Sequence, residues 1–193
     1  MTSRTELVSP VRAVIGGVGY PDLSDHSISW AVVSRLEART LPDGVVVEDV
    51  SYNPVAVAQR LDDEPDGDRY GVLVLVSAIA RGREPGAVTA YRWDRQLPSD
   101  DEIQRAVTDA VTGIIYLDNT LVVVRHLGSL PDRVVVLEVE PLVEAFGSPM
   151  SQPVADQLEP VCDAAVRYAA DLQACDALPL CALGGPAVSV AHA

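Results

Sequence analysis

The stretch from Gly71 to Ala80, GVLVLVSAIA, carries ten residues with no charge and no proline. A segment that apolar, at strand length, has no polar face to offer to water. It predicts a central strand covered on both sides, the kind found in mostly parallel sheets held between two helical layers. The neighbouring sequence supplies both kinds of element. Arg12 to Gly17 (RAVIGG), Val45 to Val50, Ala87 to Arg92 and Arg133 to Val139 read as further strands. With the central run they predict a five-stranded sheet, with Ala87 to Arg92 at an edge.

Helical patterns alternate with these strands. Ile28, Ala31, Val32 and Leu36 recur at helical spacing, and Ser24 or Asp25 is suited to cap that helix. Asn53 followed by Pro54 reads as an N-cap and first helical position, opening a short helix to Leu61. Ser99 to Glu102 has the S-x-x-E capping-box pattern ahead of an amphipathic helix to Thr112. Leu117 to His126 reads as a helix closed by Gly128, with strand the alternative for its Leu-Val-Val-Val core, and Ser151 to Leu172 reads as a final helix kinked at Pro160. Strand and helix in alternation predict one α/β domain over residues 1–175, a three-layer α/β/α sandwich around a mostly parallel sheet. From Asp176 onward Pro, Gly and Ala dominate, so residues 176–193 are expected to form a flexible tail.

Charge narrows the function. The net charge is -14, and all 14 basic residues are arginine. Such a surface repels phosphate backbones, and no stretch clusters arginine with aromatics, which argues against nucleic acid; the charge fits solubility or a basic protein partner. No apolar run approaches the ~20 residues needed to cross a bilayer, so no membrane partner is expected. Met1 to Pro10 lacks a signal-type apolar stretch, so the expected location is cytoplasmic. Cys162, Cys175 and Cys181 are odd in number and lack CxxC spacing, which argues against a disulfide framework or structural zinc.

In parallel sheets, ligands bind beyond the carboxyl ends of the strands. Three loops leave those ends: Gly19 to Ser24, Ser51 to Pro54, and Ser77 to Gly86. Gly17 and Gly19 match two positions of G-x-G-x-x-G, but Asp22 takes the third and the helix starts too late to aim at a pyrophosphate. Ser77 ends the central strand, and no partnering base for it is evident among His26, His126 and His192.

The same loops carry a resemblance. Gly17-Val18-Gly19-Tyr20 followed by Asp25-His26 resembles the Gly-x-Gly-Asn…Asp-Glu opening of the hydrogenase maturation endopeptidases. Val45 to Asp49 resembles the family's second strand, which ends in Asp. Leu73 to Ile79 resembles the central strand, which ends Asp-Ala, and Pro85-Gly86 the Pro-Gly before the next strand. Gly128 to Pro131 with Val134 to Pro141 resembles the Gly-x-x-Pro turn and last strand. Gln157 to Val161 is similar to the final helix with its interior proline. The match runs from Arg12 to Leu172.

The resemblance implies an α/β/α fold and no cofactor of the protein's own. It implies recognition of nickel already inserted in the large subunit of a nickel-iron hydrogenase, through a Glu, an Asp and a His. It also implies removal of a carboxyl-terminal extension from that subunit. The residues depart from this pattern where it matters most. Tyr20 replaces the family Asn, His26 the ligand Glu and Ser77 the ligand Asp. The ligand His falls near Gly113, with Tyr116, Asp118 and His126 nearby.

Nickel accepts imidazole, so His26, with Asp25 beside it, is the expected metal-contacting position. Asp49, Tyr20, Tyr52 and Ser77 are the expected substrate-binding residues, with His26 and Asp49 approaching the same cleft as Ser77. Three functions follow: a maturation protease with a degenerate metal site, a non-catalytic assembly factor of the same fold, and a small-molecule-binding α/β protein.

Overall fold

The computed structural model describes residues 11–65, 69–128 and 130–186. Its strands are β1 (Ala13–Gly17), β2 (Val45–Asp49), β3 (Val72–Ala78), β4 (Val88–Trp93), β5 (Arg133–Val139) and β6 (Leu180–Cys181). Its helices are α1 (Ile28–Glu37), α2 (Pro54–Asp62), α3 (Asp100–Thr112), α4 (Leu117–Leu127), α5 (Gln152–Ala155), α6 (Leu158–Ala170) and α7 (Leu172–Asp176), with one 3-10 turn at Ser24–Ser27.

Every residue of β3 is buried, and the two-residue period of the strand divides them between two cores. Val72, Val74 and Val76 enter the layer formed with Ile28, Val32 and Leu36 of α1 and Val161 and Ala165 of α6. Leu73 and Leu75 enter the opposite layer, with Val57 and Leu61 of α2 and Leu117 and Leu121 of α4. Each fully buried valine or leucine contributes about 1.5–3 kcal/mol, so the unbroken run is what joins both layers. α3 leans on α4 from outside, Ala106 and Ala110 against Val122 and Val123. The expected three-layer sandwich is borne out.

The sheet has six strands, one more than expected, in the order β2-β1-β3-β5-β4-β6. The core strands β2, β1, β3 and β5 run parallel, and β4 is antiparallel to β5. β4 is therefore not an edge: β6 pairs with it through Arg92–Leu180 and Trp93–Cys181.

That pairing corrects the expectation of a flexible tail for residues 176–186; residues 187–193 lie outside the described ones. Asp176 accepts from Arg133 Nε and Nη2 at 2.9 and 3.0 Å and from Arg92 Nη1 at 2.8 Å. The Gly184 amide donates to the Tyr91 hydroxyl at 3.1 Å. Low local periodicity misled the reading, because non-local partners hold this segment.

The final helix also differs. It is broken into α5 and α6, and Pro160 falls in the first turn of α6, where a missing N–H costs no helical bond. It therefore sits at a start and makes no kink. The expected cap at Ser24 or Asp25 is not formed, because α1 starts at Ile28 with Ser27 as its N-cap; the caps at Asn53, Ser99 and Gly128 are as the spacing predicts. Val55 N–H donates to Asn53 Oδ1 at 2.9 Å, Ser99 N–H donates to Glu102 Oε2 at 3.1 Å, and Gly128 closes α4 at φ 92°.

Candidate functional site

A cleft of about 360 Å³ opens at the carboxyl ends of β1 and β3. Gly19, Tyr20 and His26 come from the segment after β1, Ser77 to Ala80 from the end of β3, Ile114 to Leu117 from the α3–α4 connection, and Glu144 from the segment after β5. His26, Ser77 and Tyr20 are thus brought together, as the sequence predicts. Asp49, Tyr52 and Asp25 are not among the lining residues.

His26 projects into this cleft from the 3-10 turn ahead of α1. Its Nε2 has no hydrogen-bond partner and lies 3.7 Å from Glu144 Oε2. An imidazole nitrogen and a carboxylate oxygen facing each other can offer two donor atoms to a cation. Ser77 lies at the floor, buried, and its hydroxyl donates to the Ala78 carbonyl at 3.3 Å. With His26 Nε2 unbonded, that nitrogen does not activate the Ser77 hydroxyl. The Tyr20 hydroxyl accepts from Ile115 N–H at 3.1 Å and pins the α3–α4 connection to the cleft mouth.

Asp25 is fully buried, and its carboxylate is engaged by one loop. Leu142 N–H and Val143 N–H donate to Oδ2 at 2.7 and 2.8 Å. Ser151 donates its N–H to Oδ1 at 2.6 Å and its hydroxyl to Oδ2 at 2.9 Å. Burial pushes this carboxyl up, but the donors from Val143, Ser151 and Leu142 outweigh it and hold it below its ordinary value. Both oxygens thus hold the 142–151 segment against the start of α1, rather than capping that helix. Ser24 works beside it, donating to the Val143 carbonyl at 2.7 Å and accepting from Ala145 N–H at 3.0 Å. These bonds hold Ser24 at φ 33°, a left-handed conformation that costs a non-glycine residue about 1–3 kcal/mol.

Asp49 ends β2 at the surface, where its Oδ1 accepts from Ser51 N–H at 2.9 Å. Ser51 in turn accepts from Gly19 N–H at 2.9 Å and donates to the Gly17 carbonyl at 3.2 Å. Asp49 therefore shapes the turn that supports the cleft floor. The glycines here answer to packing, not to a phosphate. A Cβ on Gly17 would come within 2.7 Å of the Ser29 carbonyl. One on Gly19 would overlap the Ser29 hydroxyl and sit 2.5 Å from the His26 carbonyl. Gly19→Ala is expected to cost about 1–3 kcal/mol, read as a lower urea midpoint, because α1 must move off β1.

The far wall rests on a buried ionic network that sequence reasoning missed. Glu138 of β5 is fully buried. It accepts from Arg81 Nη2 at 2.9 Å, Arg83 Nη1 at 2.7 Å and the Tyr91 hydroxyl at 2.9 Å. Arg81 also grips Asp118 bidentately, Nη1 to Oδ2 at 3.0 Å and Nη2 to Oδ1 at 2.7 Å. Glu140 takes the Arg81 and Gly82 amides. Burial pushes the Glu138 carboxyl up, but Arg81 and Arg83 reverse this and leave it below its ordinary value. The available signal was a glutamate inside the strand RVVVLEV, since a charge in a buried strand requires a partner. Glu144 was missed because nothing in its local pattern distinguishes it from a solvated acid.

The remaining candidates separate. Tyr116 lines the cleft, Asp118 is committed to Arg81, and Gly113 closes α3 at φ 85°. Among the described residues no group of three His, Cys, Asp or Glu side chains could hold a metal ion. Burial pushes the Cys162 thiol up to about 11, leaving it a small apolar core residue. No single helix among the described residues is long and apolar enough to cross a membrane.

No family model matches the chain. It is 27% identical over 165 residues to the hydrogenase expression/formation protein HupD of Bradyrhizobium diazoefficiens, covering 83% of this chain and 79% of that protein. Among solved structures, the endopeptidase HycI from Escherichia coli superposes with a TM-score of 0.61 at 20% identity, over 91% of this chain and 100% of that one. The hydrogenase maturating endopeptidase HybD from E. coli gives 0.58 at 20% identity, over 79% and 88%. The fold of this chain is the one those peptidases have.

Proposed function

We propose that this chain, a divergent relative of the hydrogenase maturation endopeptidases, acts on the carboxyl-terminal region of a nickel-iron hydrogenase large subunit through the cleft that His26 and Ser77 line. The observation that carries the reading is the cleft's place and contents: it opens at the carboxyl ends of β1 and β3, with His26 and Glu144 facing each other 3.7 Å apart. The likeness to HupD, a hydrogenase expression/formation protein, supplies the class of partner.

The metal-recognition site is degenerate. His26 offers one imidazole nitrogen and Glu144 one carboxylate, while Asp25 has both oxygens engaged elsewhere. Nickel is part of the substrate in this scheme, and two side chains can complete a coordination sphere that the large subunit already largely provides. Alone they hold a divalent ion feebly. Tyr20 and Tyr116 supply aromatic contact area at the mouth. The protein needs no cofactor of its own under this reading.

A second reading, an assembly factor that binds the same subunit without cutting it, is favoured by the lack of a three-ligand cluster among the described residues. One experiment separates the two. The purified chain is mixed with a nickel-loaded large-subunit precursor carrying its extension, and the product is weighed by mass spectrometry. Removal of the extension, abolished by His26→Ala, establishes the protease. Binding with intact precursor, weakened by Tyr20→Ala, establishes the assembly factor. No binding overturns both. With the chain alone, nickel titration is expected to show only weak binding, and a tight site lost in His26→Ala would contradict the degenerate reading.

A further inference from the structure

The only phenylalanine in the chain, Phe146, is 84% exposed. It sits in the segment after β5 in which exposure alternates along an extended stretch. Leu142, Glu144 and Phe146 are exposed, Glu144 at the rim of the cleft opposite His26, and Val143 and Ala145 are half-buried. Leu142 is itself 55% exposed. Among the described residues Phe146 is the most exposed of the large apolar side chains.

The backbone that presents them is held firmly. Asp25 takes the amides of Leu142 and Val143, Ser24 takes that of Ala145, and Gly147 N–H donates to the Asp22 carbonyl at 2.8 Å. Phe146 forms an antiparallel bridge with Leu23. The segment is thus fixed on both sides of the exposed ring, so little conformational entropy is lost if a partner closes over it. An apolar side chain on a pre-organised backbone, beside a cleft, is the usual form of a binding hot spot.

We infer that Phe146 is a rigid knob that docks into an apolar pocket on the folded body of a protein partner, outside the segment the cleft receives, with Leu142 a separate exposed apolar contact on the same segment. This rests on the proposed function and specifies how its partner is held. Charge fixes the chemistry of the partner's surface. Exposed Asp22 and Glu144 flank the knob, and the whole chain carries -14, so the receiving pocket is bordered by lysine or arginine. The cleft then engages a peptide segment while the knob engages the body that carries it, two contacts with separable energetics.

The test measures binding of the full chain to the nickel-loaded large-subunit precursor and, separately, to a synthetic peptide of its extension. Phe146→Ala is expected to weaken precursor binding roughly 30-fold and leave peptide binding unchanged, as a hot spot outside the cleft should. Leu142→Ala should act in the same direction. Leu180→Ala, an exposed apolar truncation on β6 at the sheet edge, is the control and should change neither. Asp22→Asn with Glu144→Gln should slow association and flatten its salt dependence. If Phe146→Ala binds precursor like the parent, or weakens the peptide equally, the knob is overturned while the proposed function stands. If the parent chain fails to bind precursor, the proposed function falls and the knob with it.

Discussion

Glu138→Gln is expected to destabilise the protein by about 3–5 kcal/mol, the range for breaking a buried ion pair from one side. For a chain of this length that is a fall of roughly 10 °C in Tm. Glutamine keeps the shape but not the charge. Arg83, nearly buried, then keeps its bond to the Gly184 carbonyl and loses its ionic partner. Arg81 retains Asp118, and Tyr91 is left facing an amide.

The effect carries a pH signature. The Glu138 carboxyl lies below its ordinary value in the folded state, so the unfolded chain binds the proton more readily. Its contribution is complete above the ordinary glutamate value near 4.3 and is lost as pH falls toward the lower folded value. Thermal midpoints from pH 7 to pH 3 should therefore fall less steeply below pH 4.5 in Glu138→Gln than in the parent. A loss under about 1 kcal/mol at pH 7 would mean the network adds nothing beyond a surface pair.

Asp25→Asn is expected to cost about 2–4 kcal/mol, because four donors converge on two carboxylate oxygens and the amide offers only one acceptor. The asparagine NH₂ must then face an N–H or a hydroxyl. The loss should be concentrated in one place. Amide hydrogen exchange at Leu142, Val143 and Ser151 should accelerate far more than in β3, since the segment opens before the sheet does. Uniform acceleration across the sheet would show that Asp25 supports the whole fold and not this wall of the cleft. The folded carboxyl again lies below its ordinary value, so this stabilisation too is present above about pH 4 and fades under acid.

These two residues mark where reading the sequence stops, since both depend on partners far along the chain. Periodicity and caps are local, so the run at Val72–Val76, the Asn53-Pro54 start and the Ser99–Glu102 box were legible without coordinates. The cleft position followed from strand polarity, which brought His26, Tyr20 and Ser77 into one place. What stayed hidden depends on partners far along the chain. Asp25 reads as a helix cap until Leu142 and Ser151 arrive, more than 110 positions later. The segment 176–186 reads as loose because its anchors are Arg92, Arg133, Arg83 and Tyr91. Glu144 carries no local sign that it will face His26.

The last strand has a consequence for synthesis. Among the described residues, β4 pairs on one side with β5 and on the other with β6, at residues 180–181. While the ribosome is still delivering that segment, the outer rim of β4 offers unpaired N–H and C=O groups to any neighbouring chain. Until residues 180–181 have paired, the chain is therefore most prone to sticking to its siblings along this rim. A stop codon ahead of Leu180 would leave that rim of β4 open for good and send material into inclusion bodies.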